Sequence, residues 1–382
     1  MLLTGGGTGG HITPILAVAR ELKQLKPECT TIYVGERGTK FAELTYQHPV
    51  IDEVRFISAG KFRRYHGISW IESIIDIKTI ILNIRDVFRL IFGIVQAWQI
   101  LGKIKPDVVF LKGGFVGVPI GLAAAVRRIP IITHDSDALE GLANRLVGRW
   151  AALHATALPP EHYNYPPEKI QTVGVLVEHS FQPVTPQRQI EYKQQLGIPG
   201  EASLLLITGG SSGAEQINKA IVQIIHQLLN AVPELRVIHQ VGKGKTDVYD
   251  DYTHERLQVL EFLKPMFVYT GAADLVITRA SANTIAELGI QGKASIVIPS
   301  PQLANGHQLI NASRLKEQGA ARIILEEAMY DLQHGLLPTI IELLANESAR
   351  FILSKKLQSI TTVDAAHKLA VLILQQVKQT HT

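Results

Sequence analysis

Short runs of apolar residues alternate with longer segments of helical periodicity along nearly the whole chain, after a very short first strand. Each run ends in glycine, proline or polar residues, as strands buried in a parallel sheet do. Strands that alternate with helices predict an α/β fold with parallel sheets built from βαβ units. The predicted strands are 31–35, 107–112, 130–134, 203–208, 235–241, 274–279 and 295–299.

Two glycine-rich segments divide this pattern into similar halves. TGGGTG (4–9) opens the first half and TGGSSGA (208–214) opens the second, each between a predicted strand and a predicted helix. We therefore expect two Rossmann-like domains that face a central cleft, with residues 1–175 in the first and 176–363 in the second. The apolar helix predicted for 364–382 is expected to return to the first domain.

Composition narrows the classes of function. The 382 residues are 46% hydrophobic and 19% charged, which is enough apolar material for two buried cores. Cys29 is the only cysteine, so the chain has no disulfide framework, which suits a reducing compartment. The formal net charge is +4, without a long basic run interleaved with aromatic residues, so nucleic acid is not expected as a partner. No secretion signal is expected, because Met1 is followed almost at once by glycines.

The first glycine segment is followed directly by a histidine, His11. Gly5, Gly7 and Gly10 satisfy the dinucleotide fingerprint G-x-G-x-x-G, but Glu36 fits poorly as the carboxylate expected ~20 residues later. Glycines at such a turn let a phosphate or sugar approach backbone N–H groups at a helix N-terminus. A histidine there suits a general base near neutral pH, and a plain strand–helix turn with an incidental histidine is the alternative.

Three further segments place polar residues after predicted strands in the second half. Ser211 lies in the second glycine turn, where a hydroxyl and backbone amides suit a phosphate. Glu287 could accept both hydroxyls of a ribose, although Thr284 to Glu287 also matches a helix capping box. Gln308 and Asn311 share one helical face and suit sugar hydroxyls, with a solvated helix start as the alternative.

The segment His134-Asp135-Ser136-Asp137 follows a predicted strand of the first half. Two carboxylates and one histidine are weak evidence for a metal site. A polar loop that lines the cleft is the expected role of this segment.

Residues 61–103 combine apolar side chains with basic ones. An apolar surface rimmed by basic side chains is typical of a protein that docks on an anionic membrane, and ordinary helix core is the alternative. The longest uncharged apolar stretch, 90–102, is shorter than the ~20 residues that span a bilayer, so no crossing is expected. The residues on which the docking prediction rests are Trp70, Lys61, Arg63, Arg64, Arg85 and Arg89.

Six segments, in this order along the chain, resemble the MurG family of bacterial N-acetylglucosaminyltransferases and together span nearly its whole length. They are GGTGGHITP (6–14), KPDVVFLKGGFVGVP (105–119), HDSDALEGLANRL (134–146), GGSSGA (209–214), RASANTIAELGIQGKASIVIPSP (279–301) and HQLINA (307–312). The resemblance implies a GT-B fold whose first domain binds the acceptor and whose second domain binds UDP-N-acetylglucosamine.

The resemblance also implies a reaction and a location. The chain is expected to be a hexosyltransferase that carries N-acetylglucosamine to undecaprenyl-linked lipid I, with inversion and without a metal or cofactor. The product, lipid II, would serve peptidoglycan and cell-wall synthesis. The expected location is the cytoplasmic face of the cell membrane, as a peripheral protein on its anionic inner leaflet.

Residues that match the family's motifs take expected roles from the resemblance. His11 is expected to be the base that deprotonates the acceptor hydroxyl. The acceptor's diphosphate is expected to bind at Gly7, Gly10, Gly113, Gly114 and Phe115. The expected donor-binding residues are Thr8, Gly9, Gly10, Asp137, Ser211, Ala282, Asn283, Thr284, Glu287, His307, Gln308 and Asn311.

Several positions depart from the family's pattern. Phe115 stands where tyrosine is usual, His307 replaces a glutamine, and His-Asp-Ser-Asp at 134–137 replaces His-Glu-Gln-Asn. Glu178 replaces an arginine expected near the donor phosphates, where a carboxylate would repel a diphosphate unless it points away. The alternatives are a glycosyltransferase with another lipid acceptor such as diacylglycerol, a UDP-sugar 2-epimerase, or a non-catalytic sugar-nucleotide binding protein. The first glycine segment alone would suggest a nicotinamide oxidoreductase.

Overall fold

The chain divides into two compact units. The structure is a computed structural model that describes residues 1–6, 9–38, 45, 48–60, 77–210, 213–250, 252–301 and 306–381. Unit 1 comprises Met1–Glu178 and Val363–Thr382, and unit 2 comprises His179–Thr362. The first crossing lies after residue 178 instead of the predicted 175, and the return lies after residue 362 instead of 363.

Strands and helices alternate through the described residues. The strands are β1 Leu2–Thr4, β2 Ile32–Glu36, β3 Glu53–Ile57, β4 Val109–Leu111, β5 Ile131–Asp135, β6 Leu153–Thr156, β7 Ile170–Thr172, β8 Ser203–Thr208, β9 Leu235–Gln240, β10 Leu257–Leu260, β11 Leu275–Thr278, β12 Ser295–Val297 and β13 Arg322–Ile323. The α-helices are α1 Gly9–Leu25, α2 Ile77–Ile104, α3 Gly117–Val126, α4 Leu142–Val147, α5 Pro186–Gln195, α6 Glu215–Ala231, α7 Met266–Ala272, α8 Ala282–Gln291, α9 His307–Glu317, α10 Leu336–Ala345, α11 Glu347–Ser359 and α12 Ala365–His381.

Unit 1 has a parallel seven-stranded sheet in the order β3-β2-β1-β4-β5-β6-β7. Successive side chains of a strand point to opposite faces, so Leu3 and Phe110 pack against α1 and α12. Leu2 and Val109 pack on the other face, against α2 and α3. Burial of both faces explains why these strands form uninterrupted apolar runs in the sequence.

Unit 2 repeats this construction with six parallel strands in the order β10-β9-β8-β11-β12-β13. Leu205 and Ile207 of β8 pack against α6 and α10, and Leu204 and Leu206 pack against α7 and α8. The two parallel sheets confirm the predicted pair of Rossmann-like domains.

Each sheet reverses its strand order at one place. In unit 1 the reversal separates β1 from β4, and in unit 2 it separates β8 from β11. Helices that follow the two strands run to opposite faces of the sheet, which opens a crevice beyond the carboxyl ends of these strands. Ligand sites are therefore expected at the residues that follow β1, β4, β8 and β11.

The apolar pattern alone does not predict β3, β6, β7, β10 or β13. Four of these are edge strands, paired on one side, and Arg55 of β3 and Arg322 of β13 interrupt their apolar runs. β6 lies inside the sheet, but its sequence, Leu-His-Ala-Thr, buries His154. Their place in the sheet is decided by tertiary packing, which overrides weak local preference.

Helix α2 lies along unit 1 with one face buried and the other exposed. A Cβ atom on Gly93 would lie 2.1 Å from the Ser58 carbonyl oxygen, and one on Gly60 would lie 2.0 Å from the Asp86 carbonyl oxygen. These glycines therefore hold α2 against the residues that follow β3. Within the described residues, Leu82–Ile104 is long and apolar enough, by length and composition alone, to cross a membrane, with 17% of its apolar window buried.

Among the described residues, three histidines are fully buried in the cores of the two units: His134, His154 and His239. Burial lowers the pKa of His154 to about 4 and that of His239 to about 3, and it also lowers the pKa of His134. The His239 ring bonds to the Tyr249 hydroxyl at 2.7 Å and to the Asn218 side-chain oxygen at 3.1 Å. Below the ordinary imidazole pKa, the unfolded chain binds protons that these folded rings do not, so they lower stability as pH falls.

Lowering the pH from 7.5 to 5.0 is expected to reduce the free energy of unfolding. His239 should contribute about 2 kcal/mol to this loss, because its unfolded imidazole titrates near 6.5 while the folded one stays neutral. Guanidinium unfolding at both pH values measures the loss, which should be smaller in His239→Gln. The exposed His226 provides the matched control, since His226→Gln should keep the wild-type difference. Equal pH-dependent losses in His239→Gln and the wild type would contradict this account.

Candidate functional site

Two glycine turns meet backbone to backbone at the strand reversal of unit 1. One follows β1 at Gly5 and Gly6, and the other follows β4 at Gly113 and Gly114, whose φ angles are 101° and 82°. A Cβ atom on Gly114 would lie 2.2 Å from the Gly6 carbonyl oxygen, and one on Gly5 would lie 3.1 Å from Lys112 Cβ. Only glycine lets these turns approach so closely in this conformation.

His11 lies in the first turn of α1, next to the second glycine turn. Its Cδ2 atom lies 3.8 Å from the position that a Cβ of Gly113 would occupy. Burial and the positive charge of Lys112 lower the pKa of His11 to about 4, while the charge of Asp137 acts in the opposite direction. The ring is therefore neutral near pH 7 and can accept a proton.

A cavity of about 410 Å³ opens beside His11 within unit 1. Its polar part includes Asn144 and residues that follow β4 and β5, while its apolar part includes Leu90 of α2 and Leu146 of α4. The cavity can therefore hold a ligand with both a charged and a hydrocarbon portion. The lining residues are His11, Gly60, Leu90, Lys112, Gly113, Gly114, Phe115, Val118, His134, Asp135, Ser136, Asp137, Leu139, Gly141, Leu142, Ala143, Asn144 and Leu146.

The loop after β5 is fixed by its own hydrogen bonds. Asp135 accepts bonds from the Gly141 amide at 2.9 Å, Asn144 Nδ2 at 3.0 Å and the Tyr165 hydroxyl at 3.0 Å. His134 Nε2 bonds to the Gly174 carbonyl at 2.9 Å. Among the described residues, no group of three or more His, Cys, Asp or Glu side chains is arranged to hold a metal ion. Asp135 and His134 line the cavity, and their hydrogen bonds hold them in its wall.

Lys112 lies in the same cavity and is a residue that sequence reasoning missed. Its side chain is 5% exposed, and its Nζ atom donates to Ser136 Oγ at 2.9 Å. Burial lowers the pKa of this ammonium group, and the charges of Asp135 and Asp137 act in the opposite direction. The available signal was a lysine directly between an apolar strand and a glycine pair.

Helix α8 begins at the strand reversal of unit 2, after β11. Ser281 is its N-cap and makes no side-chain capping bond, so Asn283 and Thr284 lie in its first turn. The capping-box alternative is therefore wrong, because Thr284 is inside the helix. Glu287 follows one turn later. The amide groups of the first turn lie at the carboxyl end of the sheet, where an anion can bind.

Helix α9 is held to the same edge of the sheet by two amide side chains. Gln308 Oε1 accepts a hydrogen bond from the Ser300 amide at 2.9 Å, and Asn311 Nδ2 donates to the Ala280 carbonyl at 3.0 Å. These bonds hold the start of α9, whose first residue is His307, to the residues that follow β11 and β12. Contacts of Gln308 and Asn311 with a sugar stay a prediction.

The turn after β8 packs against the loop after β9. A Cβ atom on Gly213, at φ 70°, would lie 1.9 Å from the Val241 carbonyl oxygen. Thr208 Oγ1 donates to Gln240 Oε1 at 2.7 Å and accepts from the Gly210 amide at 3.2 Å. The turn is thus built from close backbone contacts, like the one in unit 1.

Glu178, which belongs to unit 1, acts electrostatically on His48 of the same unit. Burial and the charge of Arg20 lower the pKa of His48, and the charge of Glu178 raises it. The carboxylate that replaces the family's arginine therefore lies in the field of a unit 1 histidine.

The structure brings the expected residues together as two groups. His11, Gly113, Gly114, Phe115 and Asp137 line the unit 1 cavity, and Gly9 and Gly10 begin α1 beside it. The unit 2 group is gathered where β11 and β12 end and comprises Ala282, Asn283, Thr284, Glu287, His307, Gln308 and Asn311. Gly7, Thr8, Ser211, Lys61, Arg63, Arg64 and Trp70 lie outside the described residues.

Comparison with known proteins places both units in one family. The glycosyltransferase family 28 N-terminal domain matches residues 1–156, and the family 28 C-terminal domain matches residues 204–369. The chain is 31% identical over 380 residues to the UDP-N-acetylglucosamine–N-acetylmuramyl-(pentapeptide) pyrophosphoryl-undecaprenol N-acetylglucosamine transferase of Salinibacter ruber, covering 97% of this chain and 95% of that protein.

Solved structures of other proteins share the fold of this chain. The crystal structure of Acinetobacter baumannii MurG matches with a TM-score of 0.70 and 25% identity, over 98% of this chain and 99% of that one. A UDP-GlcNAc 2-epimerase from Neisseria meningitidis matches with a TM-score of 0.65 but 14% identity, over 98% and 99% of the two chains, so it shares the fold alone. These matches confirm the predicted GT-B fold class. The chain therefore belongs to glycosyltransferase family 28 and, within it, to the MurG family.

Proposed function

We propose that this chain transfers N-acetylglucosamine from UDP-N-acetylglucosamine to lipid I, forming lipid II, with inversion at the anomeric carbon. Its membership of the MurG family supports this hexosyltransferase activity. The single structural observation that carries the proposal is the unit 1 cavity, in which a neutral histidine adjoins two backbone-packed glycine turns. Such a site suits an acceptor whose sugar hydroxyl is close to a diphosphate.

The acceptor step uses His11 as its general base. The ring takes the proton of the acceptor hydroxyl as that oxygen bonds to the anomeric carbon of the donor. The bond from the anomeric carbon to the phosphate oxygen breaks on the opposite face, and its electron pair leaves with UDP. Because a pKa near 4 makes His11 a weak base, an anionic acceptor bound beside it would raise that pKa and strengthen the base.

The donor step uses the edge of unit 2. The first-turn amides of α8 and the turn after β8 stabilise the diphosphate that departs as UDP. Glu287, one turn into α8, accepts hydrogen bonds from the hydroxyls of the uridine ribose. No step calls for a metal, because charge develops on a leaving group already held by N–H donors.

Helix α2 and its neighbours provide a surface for docking on the membrane. The exposed side of α2 carries Phe88, Ile91 and Phe92, with exposed fractions of 68%, 55% and 58%. The Arg127 guanidinium stacks on Trp98 of α2 at 3.9 Å. Apolar side chains rimmed by arginines suit the anionic inner leaflet, on the cytoplasmic side where UDP-sugars are found. The helix lies on the surface in this proposal, because Gly93 anchors it to unit 1.

A different lipid acceptor is the nearest alternative, since the same cavity could hold another polar lipid. The epimerase alternative is less supported, because its likeness to this chain extends to the fold alone. A transfer assay with UDP-N-acetylglucosamine and a lipid I analogue decides between them. Formation of lipid II, unaffected by EDTA, supports the proposal, and donor binding without transfer to lipid I contradicts it.

Replacing His11 by Gln is expected to reduce kcat about 10²- to 10⁴-fold, because the base is lost while the ring's volume is largely kept. In the wild type, the acid limb of the pH profile of kcat/KM should lie below the ordinary histidine value of 6.5, in the direction of about 4. Lipid II formation measured between pH 4 and 8 tests both points. A His11→Gln variant with wild-type turnover and unchanged unfolding would remove His11 from the mechanism.

Replacing Glu287 by Gln is expected to raise the KM for UDP-N-acetylglucosamine about 10- to 100-fold, because hydrogen bonds to a charged carboxylate become neutral ones. The KM for the acceptor should stay the same, since Glu287 belongs to unit 2. Steady-state kinetics with each substrate varied in turn distinguish the two effects. The matched control is Glu317→Gln at the end of α9. Equal rises in both KM values for Glu287→Gln would argue against a ribose contact.

Replacing Phe88 and Phe92 together by Gln is expected to weaken binding to anionic vesicles at least about tenfold, because two apolar side chains no longer enter the bilayer. Sedimentation with phosphatidylglycerol vesicles measures this effect. Phe351 of α11 is 60% exposed, so Phe351→Gln is a matched control that should bind vesicles like the wild type. Unchanged sedimentation of the double variant would exclude this face of α2 as the docking surface.

A further inference from the structure

We propose that Lys112 is a binding residue for the acceptor's diphosphate, and that its buried ammonium group selects acceptors in which the reacting sugar is linked through phosphate. The inference rests on the proposed function and adds a residue to it. Lys112 lies in the segment 105–119 that resembles the family, but the resemblance gave it no role, because Gly7, Gly10, Gly113, Gly114 and Phe115 were expected to hold the phosphates.

Position is the first argument. Lys112 directly follows β4, at the strand reversal of unit 1, and lies between the two glycine turns. Its Cβ atom lies 3.1 Å from the place of a Cβ on Gly5, and Gly113 comes next in the chain. The side chain lines the same cavity as His11. An anion held by the amides of both turns therefore comes within reach of this ammonium group.

The hydrogen bonding of Lys112 is the second argument. An ammonium group has three N–H donors, and the one hydrogen bond found for this group among the described residues goes to the neutral hydroxyl of Ser136, at 2.9 Å. Asp135, the buried carboxylate nearby, accepts three bonds from Gly141, Asn144 and Tyr165 instead. The cavity-facing donors of Lys112 thus lack a carboxylate partner within the described part of unit 1.

Charge balance around the cavity is the third argument. Among the described residues, the charged side chains that act on Lys112 or His11 are Asp135, Asp137 and these two residues themselves, and the charge of Lys112 also lowers the pKa of His134. Asp137 is partly exposed, so solvent screens its charge more than that of the lysine. Burial raises the pKa of Asp135, while its hydrogen bonds and the charge of Lys112 act in the opposite direction. A bound diphosphate would supply the compensating negative charge.

A lysine that binds a ligand and a lysine that supports the fold are expected to affect stability in opposite ways. A buried lysine without a closely paired carboxylate has lost its hydration without full compensation, so it destabilises the free protein. An entering phosphate then gains a charge-assisted hydrogen bond to a group that is already desolvated. Lys112→Met, which keeps the length and removes the charge, should therefore leave the fold at least as stable while it weakens the acceptor site.

Kinetics of the full-length enzyme provide the test. Lys112→Met is expected to raise the KM for the lipid I analogue about 10- to 100-fold and to leave the KM for UDP-N-acetylglucosamine within about twofold. A short isoprenyl diphosphate, which has no sugar, should compete with the acceptor in the wild type. Its inhibition constant should rise by a similar factor in Lys112→Met, whereas the corresponding isoprenyl alcohol should inhibit both proteins equally weakly.

Lys169 provides the matched control, because this unit 1 lysine donates to the Ala151 carbonyl at 3.1 Å and does not line the cavity. Lys169→Met should have the wild-type KM for both substrates. An unchanged acceptor KM in a folded Lys112→Met variant would overturn the inference, as would equal rises in both KM values. Loss of thermal stability in Lys112→Met together with an unchanged inhibition constant would identify a structural residue. Absence of transfer by the wild type would instead refute the proposed function itself.

Discussion

The contact between two backbone turns in unit 1 is the constraint on which the site depends. Gly114 faces the Gly6 carbonyl so closely that any side chain would force β1 and β4 apart at their carboxyl ends. Because the turns touch, their amides, the start of α1 and the residue after β4 are gathered into one small volume. This contact between the turns, and not a direct bond between the two side chains, keeps His11 close to Lys112. Unit 2 has a similarly close backbone contact, between Gly213 and the Val241 carbonyl.

Burial gives the two groups beside these turns their chemical character. The pKa of His11 is lowered mainly by desolvation, and the same cause lowers that of Lys112. A neutral imidazole and a poorly hydrated ammonium both interact more strongly with an arriving anion than they would in water. The site is therefore suited to an anionic ligand, and without a ligand it holds groups that are individually unfavourable for stability. The hydrogen-bonded loop around Asp135 keeps them in place.

Much of this arrangement could be predicted from sequence, and the remainder depends on packing. Buried strands such as β8 form uninterrupted apolar runs, and a glycine-rich segment follows a strand at both places where the strand order reverses. The fold class, and His11 as a candidate functional residue, could therefore be predicted from the sequence. Thr284 was ambiguous because a capping box and a first-turn position use the same residues, and only the helix start at Ala282 distinguishes them. Lys112 was missed because lysines are almost always exposed, and its burial follows from the turns that close over it. Edge strands such as β13 were missed because they are short and half-solvated.

Helix α12 follows unit 2 in the chain but packs in the core of unit 1. α12 covers the side of α1 that carries Ile15, Val18 and Leu22, using Leu369 and Ile373. During synthesis this apolar side of unit 1 stays open until α12 has left the ribosome, whereas every residue of unit 2 has by then been made. Unit 2 can therefore complete its core before unit 1, because the core of unit 1 is completed only when α12 has been made. A chain that stops before α12 would expose this surface and become a target for chaperones and proteases.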